Sequence, residues 1–143
     1  MVMSTRERPD WNEYFLSISR AVAARADCTR RKAGAVLVKN NRIVSCGYNG
    51  SPAGEPGCLT DNSCPRGAAD FAAVAPYSSY DSGPGACIAV HAEANALLYA
   101  DRDRTEGAIL YTTPGDPCEG CFKLIKGSGV TSVYTPAGLF WSR

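Results

Sequence analysis

The apolar positions of the chain change between helical and strand-like spacing, and this change predicts the order of the elements. A first helix is expected behind Asp10, because Asp10 can cap it and Glu13 stands three residues later, as in a capping box. The apolar side chains that follow recur at helical spacing and predict a stripe that packs on a sheet. They are Trp11, Tyr14, Phe15, Ile18 and Val22. This helix is expected to end near residues 26–27.

An antiparallel hairpin is predicted next. The continuous apolar run at residues 33–38 is typical of a central strand that is buried on both faces. Asn40 and Asn41 predict the turn, and residues 42–48 predict the partner strand. Cys46 lies in the middle of this partner strand and is expected to be a core residue.

The second half predicts alternating helices and strands. Residues 49–86 show little periodicity, and their Gly-Pro clusters and cysteines suggest a functional loop folded over something. Residues 87–100 predict a helix that is apolar almost all round and therefore buried. Strands are expected at 108–112 and 130–135, on either side of a helix at 118–128.

Such alternation implies parallel strands joined by right-handed crossovers in this half of an open α/β sheet. The tail at residues 136–143 contains Phe140 and Trp141 and is too aromatic for a purely solvent-facing linker. No repeat or domain boundary is evident, so residues 1–143 are expected to form one domain.

Composition is that of an ordinary globular protein, with 20% charged and 45% hydrophobic residues. The net charge of +1 gives no electrostatic footprint for nucleic acid, and no apolar run approaches the length of a membrane span. The short polar N-terminus carries no secretory signal, so a cytoplasmic protein is expected. The 7 cysteines then favour reduced thiols and metal binding over disulfides.

The candidate chemistry is a zinc centre. His91, the single histidine, stands two residues before Glu93, and Cys118 and Cys121 follow Pro117. At a helix start the two sulfurs share one face and are favoured as thiolates. One imidazole and two thiolates leave a tetrahedral zinc one position for water, as catalytic sites do. The pattern matches the H-x-E…P-C-x-x-C signature of zinc nucleobase deaminases.

Each of these features also has a simpler interpretation. A lone Cys-x-x-Cys is a redox pair or half of a structural zinc finger, and a lone histidine on an alanine-rich helix is more often a core residue. Their co-occurrence in this order favours catalysis. A bound zinc would lower the pKa of its water towards ~7. Glu93 would take a proton from this water and pass it to the ring nitrogen, and would next protonate the departing ammonia.

Several stretches resemble the zinc-dependent cytidine/deoxycytidylate deaminases, most of all the dCMP deaminases, from about residue 8 to residue 135. The resemblance implies an α/β fold of three layers, α/β/α, with a mixed sheet of about five strands, an antiparallel first hairpin and parallel later strands. The stretches are W-N-E-Y-F at 11–15, C-T-R-R at 28–31, G-A-V-L-V at 34–38, G-Y-N-G-S-P-A-G at 47–54, H-A-E-A-N-A at 91–96 and P-C-E-G-C at 117–121.

The activity implied by the resemblance is the conversion of dCMP to dUMP and ammonia. It also implies a homo-oligomer, a dimer or a hexamer, and dCTP and dTTP effectors near the Gly-Tyr-Asn-Gly-x-Pro-x-Gly loop. A polynucleotide-editing or RNA-binding protein is disfavoured by the near-neutral charge and by the lack of a basic stripe with stacking aromatics. A purely structural zinc module would leave Glu93 without a role.

Substrate contacts are expected at Asn49, Ala92, Arg30 and Asp116. The resemblance gives Asn49 a hydrogen bond to the sugar, although an Asn-Gly pair also simply makes turns. Arg30, in a basic cluster before the first strand, would meet a phosphate, although such clusters are more often solvated loop faces. Asp116 departs from the dCMP deaminases, which have an aromatic residue there, and a carboxylate favours the alternative of a free nucleobase, nucleoside or base analogue as substrate.

A second, structural zinc is an open alternative at Cys28, Cys58, Cys64 and Cys87. Some dCMP deaminases carry such a site with histidine among its ligands, and this chain has no second histidine. Four thiolates suffice for a structural zinc. The other interpretation is four free, partly buried cysteines.

Overall fold

The structure is a computed structural model that describes residues 7–68, 83 and 85–143. Its helices are α1 (Trp11–Ala23), α2 (Pro65–Ala68), α3 (Ala92–Leu98), α4 (Arg102–Thr105) and α5 (Glu119–Ser128). Its strands are β1 (Gly34–Lys39), β2 (Arg42–Tyr48), β3 (Ile109–Thr113), β4 (Ser132–Thr135) and β5 (Gly138–Ser142).

The strands form one mixed sheet in the order β2-β1-β3-β4-β5. β1 is antiparallel to both β2 and β3, whereas β3 and β4 are parallel. The parallel pair predicted at residues 108–112 and 130–135 is therefore confirmed, whereas β5, which was not predicted as a strand, runs antiparallel to β4. β5 is the aromatic tail of the sequence, and a tight turn before Gly138 at φ 114° returns it along β4.

Helices cover both faces of the sheet, which confirms the three-layer α/β/α arrangement. α1 packs on one face, and α3 and α5 pack on the other. The core beneath α1 contains Phe15, Leu16, Val36, Val38 and Tyr111. The core beneath α3 and α5 contains Ala35, Leu37, Ala92, Ala96, Leu110, Ile125 and Val133, with Ala108 and Val130 at its edge.

The predicted cap and turn of the first half are confirmed. The Asp10 carboxylate accepts a hydrogen bond from the Glu13 N–H at 2.8 Å, and α1 ends at Ala23, slightly earlier than expected. Asn40 and Asn41 adopt φ values of 51° and 59°, as a two-residue hairpin turn requires.

The helix expected at residues 87–100 is shorter than predicted. α3 begins only at Ala92, because Val90 is held in extended pairing with Gly50, to which its N–H donates at 2.7 Å. Its end is not buried either: Leu98 and Tyr99 are each 71% exposed. Sequence periodicity could not reveal this tertiary β-bridge.

Cys46 is also not a core residue. It is exposed on β2, the edge strand of the sheet. Ser45 and Gly47 face α3, so the alternation of the strand turns Cys46 away from that helix.

The loop after β2 folds back on the connection between α1 and β1. The Asp27 carboxylate accepts hydrogen bonds from the N–H groups of Leu59 and Thr60 at 2.7 and 2.9 Å. These bonds hold the pKa of Asp27 below its ordinary value. Residues 69–82 and 84 of the predicted loop lie outside the described residues. None of the described helices has the length and apolarity to cross a bilayer.

Candidate active site

The N-terminal end of α3 is anchored on β2. Gly47 makes this possible, since a Cβ there would lie 2.5 Å from the Ala92 carbonyl oxygen and from the Ala96 nitrogen. The Asn95 side chain donates to the Tyr48 carbonyl oxygen at 2.8 Å. His91 is the N-cap residue of this helix. The close packing therefore fixes where the first turn of α3 begins.

The second half of the site is the start of α5. The chain leaves β3 at Thr113 and turns into α5, whose N-cap is Cys118. The Cys118 sulfur accepts a hydrogen bond from the Cys121 N–H at 3.5 Å. Both sulfurs thus lie at the positive end of a helix, where a thiolate is stabilised.

The structure brings His91, Cys118 and Cys121 together. Nδ1 of His91 lies 3.4 Å from the Cys118 sulfur and 3.3 Å from the Cys121 sulfur, and all three atoms lie within 4.8 Å of one another. A tetrahedral zinc with its usual bond lengths separates a nitrogen and a sulfur ligand by about 3.6 Å. The donor set and its spacing therefore fit zinc.

The electrostatics of the cluster also favour a bound cation. Burial raises the pKa of the Cys121 thiol, and the Glu93 carboxylate and Cys118 raise it further. Such a thiol ionises readily only when a positive charge is supplied, and a coordinated thiol is deprotonated outright. His91 and Cys118 are exposed, so the centre is open towards solvent.

Glu93 lies in the first turn of α3 and is only 7% exposed. The Thr112 hydroxyl donates a hydrogen bond to its Oε1 at 2.5 Å. The sequence predicts a strand at Thr112 but no role for this residue in the site. The available signal was its position two residues after Leu110, because alternation along β3 points both side chains towards α3 and α5.

The four predicted substrate contacts are differently placed. Ala92 is fully buried, whereas Arg30 and Asp116 are exposed. The Asn49 carboxamide accepts from the Ala33 N–H and donates to the Arg31 carbonyl oxygen, both at 2.8 Å, so it joins the end of β2 to the loop before β1. Their contact with a substrate stays a prediction.

The second set of cysteines is not gathered as the first set is. Within residues 7–68, 83 and 85–143, the close group of His, Cys, Asp or Glu ligand atoms is the one at His91. Nevertheless, the four cysteines influence one another: burial raises the pKa of the Cys87 thiol, and Cys28, Cys58 and Cys64 raise it further.

Comparison with known proteins decides the family. Residues 9–137 match the cytidine and deoxycytidylate deaminase zinc-binding region. The chain belongs to this family. It is 54% identical to the deoxycytidylate deaminase of Mycobacterium phage D29, over 90% of the chain and 96% of that protein. It is 38% identical to the deoxycytidylate deaminase of Schizosaccharomyces pombe, over 90% of the chain but only 37% of that longer protein.

Solved structures of the family share the fold. The dCMP deaminase of cyanophage S-TIM5, in complex with dCMP and dUMP, matches with a TM-score of 0.64 and 26% identity, over 91% of this chain and 83% of that chain. The predicted family, fold and zinc-binding class are therefore confirmed.

Proposed function

We propose that the protein is a zinc-dependent hydrolase that converts dCMP and water to dUMP and ammonia. The observation that carries this proposal is the group of three ligand atoms at His91, Cys118 and Cys121, which lies at the start of two helices next to the buried Glu93. Its family supports the reaction, and the phage relative that is similar along nearly its whole length supports the substrate.

The chain contributes three metal ligands and a proton carrier to this reaction. Zinc, when bound by His91, Cys118 and Cys121, supplies the Lewis acidity that activates a water as a nucleophile near neutral pH. Glu93 takes a proton from the attacking water and gives it to the ring nitrogen. After the water oxygen has bonded to the carbon that bears the amino group, Glu93 takes the second proton from this oxygen and gives it to the departing amine. The C–N bond breaks, and a carbonyl remains.

The proposed substrate contacts divide by chemistry. Arg30, on the exposed loop before β1, would pair with the phosphate. Asn49, which directly follows β2, and Ala92, in the first turn of α3, would contact the sugar and the base. Because both polar atoms of the Asn49 carboxamide already bond backbone groups, a sugar contact would use its remaining N–H or lone pair.

Asp116 supports a second candidate, a deaminase of a free nucleobase, nucleoside or base analogue. It is an exposed carboxylate in the turn that precedes Cys118, and such a group accepts hydrogen bonds from amino and ring N–H groups. The adjacent Gly115 lies beside Arg31, whose Nη2 would be 3.7 Å from a Cβ at that glycine. A cationic side chain from the loop before β1 thus lies beside the turn that contains Asp116.

A substrate panel separates the two candidates. Zinc-loaded protein is assayed for ammonia release from dCMP, CMP, deoxycytidine, cytosine, guanine and amino-triazines. Preference for dCMP supports the proposal, whereas turnover of a bare ring without dCMP turnover would support the second candidate.

The role of Glu93 is tested in the same assay with Glu93→Gln. We expect this protein to keep its zinc and to lose turnover by at least about 10²-fold, since general acid–base catalysis contributes about that much. Turnover near the wild-type rate would refute the role.

We further propose a homo-oligomer, a dimer or a hexamer. Leu98 and Tyr99 at the end of α3 are 71% exposed, and Leu124 on the adjoining α5 is 55% exposed. Exposed apolar groups of this size are typical of protein interfaces. Light scattering after size exclusion should give a mass above that of one 15.2 kDa chain.

Effector binding by dCTP or dTTP is proposed at the cleft beside the loop after β2. The cleft has a volume of about 380 Å³ and is lined by Arg25, Lys32, Ser51 and Gly54 among others. Arg25 and Lys32 would pair with the triphosphate, and a divalent cation would have to screen it from Asp27, Glu55 and Asp61, which also line the cleft. Nucleotide titration of the dCMP rate curve tests this assignment.

We also propose a second zinc, a cytoplasmic location and a single domain. A second zinc at Cys28, Cys58, Cys64 and Cys87 predicts two zinc ions per chain by elemental analysis. Among the hydrogen bonds there, the Gly67 N–H donates to the Cys64 sulfur at 3.3 Å, as occurs at zinc thiolates. A cytoplasmic location and a single domain over residues 1–143 agree with the unpaired cysteines and the single sheet.

A further inference from the structure

The Glu93 carboxylate is held from the sheet side by one side chain. Thr112 is 0% exposed, and its hydroxyl donates to Oε1 of Glu93 at 2.5 Å. Within the part of the chain that the structure describes, no other side chain donates a hydrogen bond to this carboxylate. The orientation of Glu93 on its helix therefore depends on this strand residue.

Proton transfer requires that orientation. A carboxylate that serves the attacking water, the ring nitrogen and the leaving amine in turn must keep a fixed plane within hydrogen-bond reach of each. Oε1 accepts a hydrogen bond whether Oε2 is protonated or not, so Thr112 can keep donating to Oε1 while a proton comes and goes at Oε2.

We propose that Thr112 is a positioning residue for deamination, which anchors Oε1 of Glu93 and leaves Oε2 to carry the proton. This inference rests on the proposed function, because it assigns the proton carrier of that reaction. Thr112 does not reach the substrate in this assignment, and it acts only through Glu93.

The adjacent residue provides a matched control. Thr113 is also buried in β3, at 3% exposed, but strand alternation turns it to the opposite face. There its hydroxyl oxygen accepts a hydrogen bond from Ser19 of α1 at 3.4 Å. Thr113→Val and Thr112→Val thus remove the same group from the same strand, on the two faces of the sheet.

The first test compares kinetic constants. Thr112→Val should lower kcat by about 10- to 100-fold, the loss expected when a catalytic group is displaced by about 1 Å. KM and zinc content should stay within about twofold of the wild type. Thr112→Ser should restore kcat to within a few-fold, and Thr113→Val should leave kcat near that of the wild type. If Thr112→Val does not fold, the pair Thr112→Ser and Thr112→Ala makes the same comparison of hydroxyl present and absent.

A spectroscopic readout tests the contact without turnover. The carboxylate stretching band of Glu93 is isolated by infrared difference against Glu93→Gln. The frequency of this band should shift in Thr112→Val and stay at the wild-type value in Thr113→Val. An unchanged band, an unchanged kcat, or equal losses of kcat in Thr112→Val and Thr113→Val would overturn the proposal. If the wild type turns over no substrate in the panel, the proposed function fails, while the infrared comparison still decides whether Thr112 holds Glu93.

Discussion

Replacing Gly47 by alanine should lower both the stability and the activity of the protein, because the start of α3 is packed against this glycine. Gly47 is buried on β2 where α3 crosses it. A methyl group there would lie 2.5 Å from the Ala92 carbonyl oxygen and 2.8 Å from the Asn95 Cβ, whereas ordinary contact begins at 3.4 Å. The obstructing atoms include helix backbone, so the first turn of α3 must move by about 1 Å.

The size of both effects follows from this displacement. Overpacking of this kind costs about 1–3 kcal/mol of unfolding free energy. For a chain of this length, that lowers Tm by roughly 4–12 °C. The same shift moves Glu93 and His91 relative to the cysteines on α5, and a misplacement of about 1 Å reduces kcat by up to about 10²-fold.

The assay measures kcat, zinc content and Tm for Gly47→Ala beside Gly127→Ala. Gly127 lies in α5, and no atom lies within 4 Å of the position that its new methyl group would occupy, so the control makes the same chemical change in open space. It should keep the wild-type kcat and gain slightly in Tm, because alanine is the better helix former. A Gly47→Ala protein with wild-type kcat and Tm would refute the reasoning.

Two further predictions concern stability. Asp10→Ala removes the side-chain acceptor of the Glu13 N–H at the start of α1 and should cost about 1 kcal/mol in urea unfolding, whereas Asp10→Asn should cost less. Burial, with smaller effects of Tyr134 and Asp10, raises the pKa of Tyr111 to about 12. Below pH 10 the phenol is neutral in both states; between pH 10 and 12 only the unfolded chain ionises, so Tyr111 should cost about 2–3 kcal/mol of stability across that window. Unfolding at pH 9 and pH 11 should show a smaller loss in Tyr111→Phe, and equal losses would contradict this assignment.

Local signals in the sequence were sufficient for the elements that local chemistry defines. Asp10 caps the first helix through a residue only three positions away, and Asn40 and Asn41 tolerate the left-handed turn. The first helix and the hairpin are therefore predictable. The three candidate ligands that the structure gathers were predictable as well, because a histidine, a glutamate and a Pro-Cys-x-x-Cys pair in this order rarely occur together for other reasons.

The predictions that failed, and the contact that was not predicted, depend on residues far apart in the sequence. Val90 looks helical beside its neighbours, but its pairing with Gly50 keeps it extended. Cys46 looks apolar and central, but it lies on an edge strand. Thr112 could not be connected with Glu93 before β3 was placed beneath α3, since nothing in their spacing joins them.

Because side chains alternate along β3, the two faces of the sheet can be mutated independently of each other. Leu110 and Thr112 face the helices that carry the zinc ligands, whereas Tyr111 and Thr113 face α1. A library of core variants confined to the α1 face can therefore be screened for a higher Tm, while the face that packs on α3 and α5 keeps its wild-type residues. By contrast, an insertion or deletion of one residue within β3 would exchange the two sets and is expected to abolish activity.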